Sequence, residues 1–155
     1  MLWEDEHERQ SPIGYFTMAL AYLDAADELT RRQVDRDDPF RLAFESPIRH
    51  LYAHTWELAL KSCLFRQGMK PAEMKTKVSH NLTKAWDRVD RTRFAPLRLA
   101  DHVRIMPEAL DRYHPTKLYA YPVTGFRREF SLGYIRDAAQ RFRISTGLIL
   151  DLFGY

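Results

Sequence analysis

The sequence has one cysteine, six lysines, no long apolar run and no stretch of sustained strand alternation. A lone thiol, Cys63, excludes an intrachain disulfide framework and a multi-cysteine zinc site, and it fits a reducing compartment. No apolar run approaches the roughly 18 residues of a membrane span. The start, MLWEDEHERQ, is acidic and unlike a signal peptide. The expected location is therefore the cytoplasm, with no membrane partner. No internal repeat, low-complexity tract or interdomain linker interrupts the 155 residues, which read as a single domain over 1–155. A chain of that length buries roughly 68–70% of the surface its unfolded form exposes, so it needs no staple.

What is present is a well-cored composition, 45% hydrophobic and 13% aromatic, on a chain of net charge +3. The charge is unevenly spread. Residues 1–80 hold 11 Lys and Arg against 13 Asp and Glu, whereas residues 81–155 hold 13 against 8. Arginine outnumbers lysine 18 to 6, which suits recognition of phosphate or carboxylate by a planar fork and equally follows from codon bias. The basic half is either a nucleic-acid-facing surface or a solvated one.

Helical periodicity dominates. In SPIGYFTMALAYLDAADELTRR, Ser11 is a cap and Pro12 fits the first helical position. Phe16, Ala19, Leu20, Leu23 and Ala26 share one face, Tyr15, Tyr22 and Leu29 a second, and Asp24, Asp27, Glu28 and Arg31 the polar side. A second helix is predicted from near Ser46 and Pro47 to Gln67, with PFRLAF as a lead-in and Gly68 as a left-handed stop. Pro71 opens a short helix, and SHNLTKAWDRVD forms another, capped by Ser79. APLRLADHVRI and PEALDRYH read as helical pieces split at Pro107, and HPTKLYAYPVTG as a loop. A last helix carries the stripe Leu132, Ile135, Ala139 and Phe142. The predicted architecture is an all-α bundle of about four main helices with short extra ones and an irregular loop before the last.

The second helix also contains IRHLYAHTWELALKSCLFRQG, where polar groups interrupt an apolar run. His50, His54, Glu57 and Lys61 follow at steps of four, three and four residues and so form one helix stripe. Three readings stand. The stripe is a polar seam in which Glu57 pairs with Lys61 and the histidines bond a neighbouring helix through His80 or Asn81. It is a reacting site. Or it is a metal site, since His50 and His54 stand four residues apart with Glu57 one turn on; no second ligand-rich segment accompanies them, and no metal is assigned. His80 and Asn81 suit either a site or helix capping. Tyr119 and Tyr121 with Arg127 and Arg128 suit base stacking and phosphate contacts, or tyrosine packing at the bundle end with solvated arginines. His102 and His114 are assigned to the surface, and Trp56, Trp86, Phe65, Phe142 and Cys63 to the core.

Three runs carry a family resemblance: HTWELALKSCLFRQG, SHNLTKAW about a dozen residues later, and ALDRYHPTKLYAYP before the last helix. In that order they resemble the HEPN superfamily of small helical domains. The first is similar to its E-L-x-L-K core helix. The second is similar to its G-H-D-L run, with Ser79 for glycine and Asn81 for aspartate. The third is similar to its Y-x(n)-R-Y-P ending, with Ala120 where arginine is usual. The resemblance covers roughly Tyr15 to Phe142 and implies a single HEPN-like helical domain.

Many members of that superfamily are metal-independent endoribonucleases with an R-x(4–6)-H signature, and RHLYAH supplies Arg49, His50 and His54 in that pattern. The resemblance implies His54 as general base, Arg49 as stabiliser of phosphate charge and His50 as the orienting neighbour, roles that suit imidazole and guanidinium near neutral pH. It implies no cofactor. It implies a homodimer whose protomers complete one site, and RNA as substrate, within a toxin or phage-defence setting. The signature here lies on the ELALK helix, whereas the family carries it on the last helix. Five residues on a helix put Arg49 and His54 about 140° apart, so they do not share a face within one chain. The alternative is a non-catalytic HEPN-like bundle that binds RNA, a nucleotide or a partner protein such as an antitoxin or nucleotidyltransferase. Glu57, Lys61, His80, Asn81, Tyr121, Arg127 and Arg128 are the candidate binding residues beside the Arg49, His50 and His54 set.

Overall fold

Ser11 and Pro12 start the first helix as their chemistry predicts. Ser11 Oγ accepts a hydrogen bond from the Gly14 amide at 2.9 Å, and α1 runs Pro12–Val34. The computed structural model describes residues 10–34, 41–90, 101–111 and 130–150, and every regular element among them is a helix. The periodicities thus give the class, all-α, while several boundaries differ.

The second helix, α2, spans Arg41–Arg66 and passes through Pro47, so it begins earlier than the Ser46–Pro47 pair predicts. Proline removes one amide from a helix interior, and here the proline itself lies on the exposed side of α2. The end of α2 is as expected. Gly68 has φ 101°, its amide bonds the Phe65 carbonyl at 2.9 Å, and the Met69 amide bonds the Leu64 carbonyl at 3.0 Å. These paired bonds are a Schellman termination.

Pro71 opens α3, Pro71–Lys77, and α4 follows at Leu82–Arg88. The cap of α4 is Asn81, whose side chain accepts from the Lys84 amide at 2.7 Å, and not Ser79. Ser79 is instead in the left-handed region, with φ 52°. The pieces predicted on either side of Pro107 are one helix, α5, Asp101–Asp111. Val103, Met106 and Leu110 lie along a single buried stripe that spans the proline, and burying it holds the helix together there. The last helix, α6, covers Leu132–Ile149, with Ser131 Oγ accepting from the Tyr134 amide at 3.2 Å.

Helix α2 is the centre of the bundle: among the described residues, all five other helices pack against it. That explains why its apolar residues point in almost every direction, with Ile48, Tyr52, Trp56, Leu58, Leu60 and Leu64 all buried. Trp56 stacks face to face on Phe142 of α6 at 4.1 Å between ring centroids, and Trp86 of α4 meets Phe142 edge-on at 6.1 Å. Two further contacts fix the arrangement. Tyr52 of α2 donates to Asp27 Oδ1 of α1 at 2.7 Å, and Gln140 of α6 donates to the other oxygen of Asp27. At the far end, Asp111 of α5 accepts from the amides of Leu82 and Thr83 at 2.8 and 3.1 Å, which completes the first turn of α4 beside Asn81. Among the described residues no helix is long and apolar enough to cross a membrane.

Because Phe142 links α6 to the indoles of α2 and α4, Phe142→Ala is expected to lower the stability to unfolding by about 3–5 kcal/mol. Urea denaturation followed by circular dichroism measures it.

Candidate functional site

The polar stripe of α2 is partly roofed. His50 is exposed, His54 half-buried, Lys61 more enclosed, and Glu57 is only 2% exposed. A carboxylate so deeply placed requires partners, because burying a charge alone costs far more than a hydrogen bond returns. Lys61, one turn along, donates from Nζ to Glu57 Oε1. His80 reaches the same oxygen from the connection between α3 and α4, with Nδ1 at 2.8 Å. His54 Nδ1 stands 3.4 Å from Oε2, an ionic contact longer than a hydrogen bond.

The α3–α4 connection delivers His80 through an unusual backbone. Val78 packs into the core, Ser79 then turns left-handed, and the Ser79 amide bonds back to the Met74 carbonyl at 2.7 Å. Asn81 follows as the cap of α4. The ring between them is set on Glu57 by neighbours that are themselves fixed. A carboxylate acceptor makes His80 Nδ1 the donor, which leaves Nε2 directed away from Glu57 on a side chain that is 57% exposed.

Helix α1 supplies the other wall. Tyr22 packs edge-on against the His54 ring, with centroids 4.4 Å apart and planes at 80°. The His50 ring lies parallel to it, 6.3 Å away on the next turn. Tyr15 sits beside Phe65, and burial first and then the charge of Glu57 push its phenol above the ordinary tyrosine range.

The structure thus brings together His50, His54, Glu57, Lys61 and His80. The predicted Glu57–Lys61 pair is present, and His80 bonds the same carboxylate. Arg49 is elsewhere. At 6% exposure it donates from Nη1 to the Phe130 carbonyl at 2.7 Å, and its Nη2 lies 3.4 Å from Glu45. It ties α2 to the residues that lead into α6. Within one chain Arg49 and His54 therefore face different neighbours, as their 140° separation implies. Asn81 is a cap. Tyr119, Tyr121, Arg127, Arg128 and His114 lie outside the described residues, as does the side chain of His102.

Two participants were not among the candidates. Tyr22 and Tyr15 belong to an ordinary apolar face of α1, and only their proximity to α2 gives them a place at the site. Among the described residues no group of three or more His, Cys, Asp and Glu side chains could hold a metal ion. The chemistry the cluster offers is proton transfer by imidazole next to a fixed cation.

Two substitutions separate scaffold from site. Ser79→Gly removes the side-chain penalty of the left-handed backbone and is expected to raise stability by up to about 1 kcal/mol, read as a higher urea midpoint. Arg49→Met strips the donors from the Phe130 carbonyl and Glu45, and is expected to lower stability by about 1–3 kcal/mol in the same assay.

Comparison of the chain with protein-family models, with curated proteins and with solved structures returned no match.

Proposed function

We propose that the chain is a HEPN-like helical domain that acts on RNA, cleaving it without a metal at the face built around Glu57. The observation that carries this reading is a single buried carboxylate that gathers two imidazoles and an ammonium onto one partly open surface. Cleavage of RNA by its own 2′-hydroxyl needs a base for that hydroxyl and a fixed positive charge near the phosphorane. His54 is the base in this reading, with His50 beside it, and Lys61, paired with the same carboxylate, is the cation. Arg49 would join such a site only from a second copy of the chain in a homodimer, since in its own chain it is bonded to Phe130 and Glu45.

The enclosure of Arg49 favours a second reading: a HEPN-like bundle that binds RNA, a nucleotide or a partner such as an antitoxin or nucleotidyltransferase and does not cut. Incubation of the purified protein with RNA in EDTA distinguishes the two. Fragments ending in 2′,3′-cyclic phosphate, lost in His54→Ala, support cleavage. Intact RNA at every pH between 5 and 9 sinks the enzyme reading and leaves the binding one.

A further inference from the structure

Lysine is scarce in this chain and unevenly placed: four of the six are Lys70, Lys75, Lys77 and Lys84. Between Arg66 and Asp90 six cations meet three carboxylates, so the corner made by the end of α2, α3 and α4 is positive, whereas α1 carries three carboxylates against two arginines. One of the three is already answered, since Glu73 accepts from Lys77 Nζ at 3.0 Å and from the Lys70 amide at 3.1 Å. The four lysines and Arg88 are exposed. Two bonds bring the far end of α4 back to this corner: Gln67 donates to the Arg88 carbonyl at 3.2 Å and accepts from the Asp90 amide at 2.8 Å. Beside Gln67 lies an open depression of about 460 Å³, lined by Gln10, Phe65, Gly68, Met69, Lys70 and Pro71. Phe65, Met69 and Pro71 are half-buried and make it apolar, and Lys70 charges it. Gly68 keeps it open, since a Cβ there would meet nothing within 4 Å. The volume suits a small ligand or a single nucleotide. An apolar hollow next to a row of lysines matches a chain that alternates flat bases with phosphates. An acidic peptide answers the lysines but offers Phe65 and Met69 no regular partner.

We infer that this corner binds single-stranded RNA, with one unpaired base in the depression against Phe65 and Met69 and the neighbouring phosphates along Lys70, Lys75 and Lys77. This rests on the RNA reading above and names the form of RNA and the place where it is held. Helix α3 has seven residues and is therefore about 10 Å long, roughly one Debye length at physiological salt. Each lysine on it thus acts on a phosphate held at the edge of the depression, whichever side of the helix it occupies. A duplex has no unpaired base to offer, so the depression selects a single strand. The corner is also continuous with the Glu57 face. His80, which bonds Glu57, follows Lys77 by three residues, and the chain from Pro71 to His80 covers at most about 20 Å. A strand that leaves the depression along α3 therefore arrives at the Glu57 face within a few nucleotides.

The test measures binding apart from cleavage. Single-stranded 2′-O-methyl RNA has no 2′-hydroxyl to attack phosphorus, so the anisotropy of a fluorescent strand reports binding by the whole protein alone. The triple variant Lys70→Gln, Lys75→Gln, Lys77→Gln is expected to bind about 10-fold more weakly or worse, and to lower the slope of log affinity against log salt by about 2, since each phosphate contact on a single strand contributes about 0.7. Phe65→Leu keeps an apolar side chain at a half-buried position and is expected to weaken binding about 5-fold or more with the slope unchanged, the loss of one stacked base. Arg32→Gln is the control: Arg32 is exposed in the last turn of α1, roughly 30 Å along that helix from Gln10, and its loss is expected to change neither quantity. Equal affinity of the triple variant and the wild type overturns the inference, as does an equal loss in Arg32→Gln, the mark of a response to net charge alone. Wild-type affinity in Phe65→Leu overturns the place of the base. Tighter binding of poly-glutamate than of the strand overturns RNA in favour of an acidic protein partner, and tighter binding of a duplex overturns the single strand. Each of these results leaves the cleavage reading to its own assay, whereas a wild type that neither holds the strand nor cuts RNA ends both.

Discussion

A carboxylate cannot be buried alone, and Glu57 is placed in the helix against which every other described helix packs. Much of the local design follows from that constraint. Lys61 lies on the same stripe one turn away, which local helix geometry provides at no extra cost. A further partner comes from outside α2, and the α3–α4 connection turns through a left-handed serine to bring His80 there. Desolvation offsets most of the Coulombic gain of a buried pair, so the cluster does more to determine where α3 and α4 sit than to raise net stability.

Other polar contacts use α2 in the same way on its other sides. Tyr52 meets Asp27 and, with Gln140, joins α1 and α6 to the central helix, and burial pushes the Tyr52 phenol well above the ordinary tyrosine range. Arg49 holds the approach to α6 through the Phe130 carbonyl. The apolar surfaces bring the helices together non-directionally; these few directed bonds select one arrangement of them. At the exposed end of the Glu57 cluster such a bond network opens toward solvent.

Much of this was legible in the sequence wherever the cause was local. Ser11 and Pro12, the glycine stop at Gly68, the short helix at Pro71 and the Glu57–Lys61 pair all depend on residues within one or two turns of one another. The angular separation of Arg49 from His54 was likewise contained in helix periodicity. Local rules failed where tertiary burial overrode them: Pro107 lies inside a helix because the stripe of Val103, Met106 and Leu110 that spans it is held by packing. Asn81 displaced Ser79 as a cap because both are competent, and the left-handed backbone at Ser79 decided between them. The bond from His80 to Glu57 and the one from Tyr52 to Asp27 cross 23 and 25 residues. Periodicity carries no information on such pairs, although a tyrosine at the centre of an apolar run and a carboxylate among leucines each signal that a distant partner exists.

The carboxylate of Asp111 bears on the order in which the bundle assembles. Helix α4 has seven residues, too few to persist in water unaided, and two of its first amides are satisfied from the end of α5, 29 residues beyond Leu82. Long-range closure must therefore precede a lasting α4, which makes α4 and the imidazole just ahead of it late-forming parts of the chain. The central helix with its carboxylate can be in place first, and the face around Glu57 is finished only when the second half of the sequence arrives.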